Sequence, residues 1–273
     1  MNINKKKIKK WLAFGCTHVP YQDHEAIDWV LKTIEEYKPD YVIHLGDLFE
    51  AASASKFQNE ETHTLSDEFK EANTLLGTIR KTSQGANRNS TCVFVPGNHD
   101  WNLLSINRID PQLRSLCDWR NHQLFPEIQN WKQPCKYEFD RNRGVFTLGQ
   151  CTFSHGYTAN ASAGEMEAIL LSHPHHLNVQ AHTHRGLPVT QAMRTKTVAL
   201  PYYHANVGCL RNLDPNWCQR LNTMRWTQSL CLGDTLIDQG KTSCRPRHST
   251  TWSAETLIYK TKSDFTKTNP EIS

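Results

Sequence analysis

Five of the 14 histidines fall where imidazole could do chemistry. His18, His99, His155, His182 and His184 each follow a short run that reads as a β-strand, and Asp47 and Asn98 occupy the same kind of position. A strand end followed by a loop lets a rigid sheet aim a short side chain at little entropic cost. Imidazole nitrogens with carboxylate and amide oxygens are ligands for a borderline divalent metal. Two adjacent ions fit such a set, because a dinuclear centre needs a bridging carboxylate, neutral ligands that limit negative charge, and an open edge for substrate and water. Asp47 could bridge, with Asn98 and the histidines completing the shells. Other histidines read differently. His44 and His204 look like packed or hydrogen-bonded residues, and His173, His175 and His176, in Ser-His-Pro-His-His, precede a strand and read as surface loop. Cys92, Cys117, Cys135, Cys151 and Cys231 read as small core residues.

The elements that must position these side chains alternate. Trp11 to Cys16 is an apolar strand, and Ala26, Ile27, Val30, Leu31 and Ile34 recur at helical spacing after Asp23 until Pro39-Asp40 stops the helix. Tyr41 to Leu45 is a second strand. Residues 50 to 63 are polar and irregular; Leu65, Phe69, Ala72, Leu75, Leu76 and Ile79 then mark a helix with Thr64 and Asp67 as a capping pair. Thr91 to Val95 is a third strand opening into Gly97-Asn98-His99-Asp100. This alternation predicts a largely parallel sheet with its ligands at the strand C-terminal ends. In the second half, Val145 to Leu148 and Cys151 to Ser154 flank Gly149-Gln150 like a hairpin, and a helix from Ala163 to Leu171 leads to a strand from Leu177 to Ala181. Val189 to Met193, Thr197 to Leu200, Trp226 to Leu232 and Thr256 to Tyr259 predict a second, more antiparallel sheet.

Composition excludes whole classes. The chain has 273 residues, 38% of them hydrophobic and 10% aromatic, enough to bury a core and too many for a disordered polymer. No run approaches the ~18–20 apolar residues of a membrane span. A net charge of +4 is mild for a nucleic-acid binder. Much of the excess lies in Lys5, Lys6, Lys7, Lys9 and Lys10, and the apolar run after them is too short for a signal peptide, so residues 1–10 read as a basic tail. Residues 11–260 read as one domain and 261–273 as a polar tail. Nine cysteines without a C-x-x-C pair imply reduced thiols and a cytoplasmic protein.

Cys16-Thr17-His18, Gly46-Asp47-Leu48-Phe49, Gly97-Asn98-His99-Asp100, Ser154-His155-Gly156 and Ala181-His182-Thr183-His184 follow one another after predicted strands. In this order they resemble the five motifs of the calcineurin-like metallophosphoesterases, over about residues 11 to 210. The resemblance implies an α/β fold, a four-layer αββα sandwich with two mixed β-sheets. It implies that His18, Asp47 and His184 bind one divalent ion and Asp47, Asn98, His155 and His182 another. His99 would contact the phosphate and assist the leaving group, with Asp100 orienting its imidazole. A metal-bridging hydroxide would attack phosphorus in line. Cys16 departs from the pattern, standing where the family has an aspartate. The divalent ions expected are zinc, manganese or iron; as a thiolate ligand Cys16 would lean the first site toward zinc or iron and away from magnesium, and as a spectator it would leave that site weak. Ala181 stands where the family has glycine and asks whether that loop needs a positive φ.

Substrate is less defined. The sequence lacks the Asp-Arg and Gly-Asn-His-Glu features of the protein phosphatases, and Gly46 to Phe49 with Gly97 to Asp100 is similar to the phosphodiesterase and DNA-repair nuclease branches. Cys209 to Leu232 resembles phage-type members labelled DNA repair exonuclease-like. Its Arg211, Trp217, Arg220, Arg225 and Trp226 could contact a nucleic-acid backbone and stack on bases, or simply cover the second sheet. The expected function is a phosphodiesterase acting on nucleic acid or nucleotides. The alternatives are a phosphomonoesterase, a catalytically weak metal-binding scaffold, or a thiol hydrolase with Cys16 as nucleophile and His18 or His99 as base.

Overall fold

The first strand starts before the apolar run that predicts it. In the computed structural model, which describes residues 6–52, 63–109, 117–121, 123–159, 163–192, 200–214, 225–238 and 251–262, β1 spans Lys6–Phe14. Lys6 to Lys10, expected as a tail, pair antiparallel with Asp238 to Asp234 of β9 (Thr227–Asp238). Lysine suits such an extension, because a long aliphatic stem can lie along a sheet while its ammonium reaches a polar partner. Lys9 Nζ, for one, sits 2.5 Å from Asp40.

From β1 the chain alternates as its periodicity predicts. α1 (His24–Tyr37) is capped by Asp23, whose carboxylate accepts from the amides of Glu25 and Ala26, and ends at Lys38 in a left-handed conformation ahead of Pro39. β2 (Tyr41–His44) and β3 (Thr91–Phe94) run parallel to β1, joined by α2 (Leu65–Ala86), which carries the Thr64–Asp67 capping box. Asn98 opens α3 (Asn98–Ile109), so Gly97-Asn98-His99-Asp100 is a helix start rather than a free loop. In the second half, β4 (Phe146–Leu148) and β5 (Cys151–Phe153) form the expected hairpin over Gly149, which adopts φ +59°. α4 (Ala163–Leu171), β6 (Leu177–Gln180), β7 (Gly186–Gln191) and β8 (Tyr203–Val207) follow, and β10 (Trp252–Thr261) comes last. Residues 193–199, which hold most of the predicted Thr197 strand, and 263–273 of the expected C-terminal tail lie outside the described residues.

Two five-stranded mixed sheets result, in the orders β10-β9-β1-β2-β3 and β4-β5-β6-β8-β7. Here one expectation fails. Trp226 to Leu232 and Thr256 to Tyr259, assigned from sequence to the second sheet, belong to β9 and β10 and extend the first sheet past β1. The alternation along β1 explains the layering. Leu12 and Phe14 face the core shared with α1 and α2, whereas Trp11 and Ala13 face the core shared with Phe153, Val179 and Val207 of the second sheet. With α4 packed on β6 and β8, the layers run helix, sheet, sheet, helix. Because β1, β2 and β3 are parallel, as are β5, β6 and β8, their C-terminal ends gather the motif loops of each sheet.

Trp11 ties the two sheets. It is fully buried, and its ring meets Phe153 of the opposing sheet edge-on at 5.1 Å. Trp11→Ala is expected to lower unfolding free energy by about 3–5 kcal/mol in urea titration; a loss under about 1 kcal/mol would show that this pair does not hold the layers together.

Candidate metal centre

Seven side chains predicted from sequence converge in the structure. Asp47, 2% exposed, stands between two groups of donor atoms. On one side, ligand atoms of Cys16, His18, Asp47 and His184 all lie within 4.8 Å of one another; on the other, so do those of Asp47, His155 and His182. In the second group His155 Nε2 lies 3.1 Å from both Asp47 Oδ2 and Asn98 Oδ1, and His182 Nδ1 lies 3.0 Å from Asn98 Oδ1 and 3.2 Å from His155 Nε2. In the first, His18 Nε2 and His184 Nε2 face each other at 3.1 Å. Carboxylate and amide oxygens aimed with imidazole nitrogens at one point repel unless protons or a cation intervene, so the donor set fits a divalent ion in each group.

The tautomers agree. His155 Nδ1 lies 2.6 Å from Leu45 O and donates to that carbonyl, which leaves Nε2 as the atom turned into the site. Burial lowers the basicity of His18 and His182, each to about 4, and of His184 well below its ordinary value, so these imidazoles are neutral. Burial alone would raise the Asp47 carboxyl, but His155 and His99, whose own basicity Asp47 raises in turn, hold it well below the usual range, as an anion. Cys16 is the reverse: burial, and then Asp47, push its thiol well above 9.0. A nucleophilic cysteine needs a depressed pKa, so the thiol-hydrolase alternative loses its footing.

Backbone strain marks the same residues. Among the described residues, eight non-glycine positions have positive φ, and Cys16 (+52°), His18 (+50°), Asp47 (+50°), His182 (+57°) and His184 (+57°) are five of them. Left-handed conformations cost roughly 1–2 kcal/mol each outside glycine, and persist where the surroundings fix them. Ala181 is not among these positions; the loop places its positive φ at His182 and His184, which is why alanine is tolerated there. The glycines of the second and third motifs are needed for close approach: a Cβ on Gly46 would lie 2.2 Å from Gly97 N, and one on Gly97 2.3 Å from Asp47 Oδ1.

The model for the calcineurin-like phosphoesterase family matches residues 9–222. The chain belongs to that family. Among solved structures it is similar to Chaetomium thermophilum Vps29 (13% identity, 93% of this chain and 97% of that one, TM-score 0.38). It is also similar to TT1561 of Thermus thermophilus (11%, 75% and 91%, 0.39) and to PhoD (10%, 96% and 71%, 0.43). No curated protein matches it. None of these matches points to a DNA repair exonuclease-like branch. The chain is a phosphoric ester hydrolase by family, and no described helix is long and apolar enough to cross a membrane.

Two expectations for this phosphoesterase change. Asp100 does not orient His99. Its Oδ2 accepts from the amides of Asp47 (2.8 Å) and Gly97 (2.7 Å), and its Oδ1 from those of Leu48 (3.0 Å) and Phe49 (3.4 Å). It is the residue that clamps the Asp47 loop to the start of α3. His99 instead places Nδ1 2.6 Å from Glu50 O, while its own amide donates to Asp47 Oδ1. Nor is Arg211 a surface contact for nucleic acid: it is 2% exposed, with Nη1 3.2 Å from Glu50 Oε2. Trp226 packs edge-on to His184 at 4.6 Å, Arg225 is exposed, and Trp217 and Arg220 lie outside the described residues. His44 is packed as expected, with Nδ1 accepting from Gly46 N and Nε2 therefore donating to Thr17 Oγ1. Sequence reasoning missed Glu50, a buried carboxylate three residues after Asp47. Its only signal was a charged residue inside an otherwise apolar Leu-Phe-Glu-Ala stretch.

Asp100→Asn turns an amide NH2 toward backbone donors and leaves two of them unpaired. A destabilisation of about 2–4 kcal/mol is expected in chemical denaturation. Stability within about 0.5 kcal/mol of the parent would remove the clamp from the account.

Proposed function

We propose that this phosphoesterase hydrolyses phosphate diesters, with nucleotides or nucleic acid as the substrate class, at a two-metal centre. Cys16, His18, Asp47 and His184 would hold one ion, and Asp47, Asn98, His155 and His182 the other. The observation that carries the proposal is the position of Asp47, whose carboxylate belongs to both donor groups. When bound, zinc, manganese or iron would polarise the phosphoryl oxygens and lower the pKa of a shared water.

The chain's own residues supply the rest. Neutral His18, His182 and His184 keep the negative charge of the ligand set down to Asp47 and, once deprotonated, Cys16, which leaves the centre attractive to an anionic phosphate. His99, half-buried and held through Nδ1 by Glu50 O, keeps Nε2 for a phosphate oxygen or the departing alkoxide. Support for a planar leaving group comes from aromatic rings beside the second donor group. Tyr137 meets His155 at 5.9 Å and stacks on Tyr157 at 4.9 Å, and Phe139, 50% exposed, lies edge-on to Tyr157. Such rings can stack on a base whatever its sequence.

Hydrolysis of a bis-aryl phosphate should depend on added zinc, manganese or iron(II) and stop with chelator. Asn98→Ala should lose at least about a hundredfold in kcat, the scale of removing one transition-state contact. A folded protein without turnover under any metal would leave the scaffold alternative standing. Cys16→Asp should shift the metal giving highest activity toward manganese or magnesium, since oxygen replaces a soft sulfur donor; an unchanged metal order would make Cys16 a spectator.

A further inference from the structure

Glu50 is buried, 4% exposed, and lies beside the donor groups without belonging to either of the two that share Asp47. A carboxylate in such a place needs partners that justify its charge. It has two. Oε2 stands 2.8 Å from His18 Nδ1 and 3.2 Å from Arg211 Nη1. Arg211 is itself buried, with its guanidinium over the rings of Trp226 (5.5 Å) and Tyr21 (5.9 Å).

The consequence falls on His18. Its Nδ1 lies within ion-pair distance of Glu50 Oε2, 2.8 Å, without making a well-aligned hydrogen bond, and a carboxylate that close favours the proton on Nδ1. His18 Nε2 is the atom that faces His184 Nε2 at 3.1 Å and Asp47 Oδ2 at 3.8 Å. We propose that Glu50 is the positioning residue of the first metal site: it fixes the Nδ1–H tautomer and ring orientation of His18, with Arg211 compensating its charge. The inference rests on the two-metal centre proposed above and adds a residue to it. The contact is specific to one side. Glu50's carboxylate touches His18 alone among the proposed ligands, and the second donor group takes its orientation from Leu45 O through His155. Groups that set the orientation of a metal-binding histidine typically change metal affinity by about 10–100-fold.

This asymmetry gives a test that does not depend on turnover. Apo-protein titrated with Co2+ should take up two ions, and the step that involves Cys16 should show the sulfur-to-cobalt charge-transfer band in the near ultraviolet. In Glu50→Gln the step carrying that band should weaken by about 10–100-fold while the other keeps its parent affinity. Removing the Glu50 charge leaves Arg211 buried without its carboxylate, so Glu50→Gln/Arg211→Met serves as a charge-balanced second variant and should show the same selective loss. Asn98→Ala should give the mirror result, losing the step without the band. Equal weakening of both steps in a folded variant, or parent affinity at the thiolate step, would overturn the role of Glu50. A parent protein that binds no cobalt would overturn the two-metal centre itself, an outcome distinct from either.

Discussion

Four backbone N–H groups converge on one buried carboxylate, that of Asp100, and the remaining geometry of the site hangs from that convergence. Three of the donors belong to the loop after β2 and one to the entry of α3, so a single side chain locks two strand ends together. Asp47 lies at the centre of this lock in a left-handed conformation that an L-residue adopts at a cost of roughly 1–2 kcal/mol. Hydrogen bonds to a charged group contribute about 1.5–3 kcal/mol each, enough to hold the strained loop in place. The carboxylate of Asp47 is thereby aimed without freedom to swing away from the nitrogen and oxygen donors around it.

Neither sheet contains a candidate donor group alone. Cys16, His18 and Asp47 come from strand ends of the first sheet and Asn98 from the helix that follows its third strand, whereas His155, His182 and His184 come from the second. Each donor group therefore draws on both sheets, and the interlayer core of Trp11, Phe153, Val179 and their neighbours sets the distance between the donor side chains. Packing is thus part of the chemistry. A shift of one sheet over the other would separate His155 from Asp47 before it disturbed either sheet's hydrogen bonding.

Much of this was legible in the sequence, for identifiable reasons. Parallel strands with apolar runs, the capping pair Thr64–Asp67 and the strand-end histidines are local signals, and the structure has them where the pattern places them. What was not legible depends on distant pairing. β9 and β10 carry an ordinary strand pattern that says nothing about which sheet they join, and the lysines of β1 disguise a strand whose partner lies more than two hundred residues away. The work of Asp100 was hidden for a related reason: a carboxylate beside His99 in sequence is not beside its ring in space. Glu50 and its pairing with Arg211 escaped because a buried ion pair leaves no periodicity, only two charges 161 positions apart.

The antiparallel pairing of β1 with β9 has a bearing on how the chain is made. β2 is available to β1 almost as soon as both are synthesised, but the opposite edge of β1 waits for residues 227–238. Until then a strand ending in the fully apolar Trp11-Leu12-Ala13-Phe14 presents open N–H and C=O groups at the middle of a future sheet. Long-range closure of this kind slows folding and prolongs exposure to self-association. The lysines at the start of β1 set like charges along that edge, and like charges on an unpaired strand disfavour its pairing with a second copy.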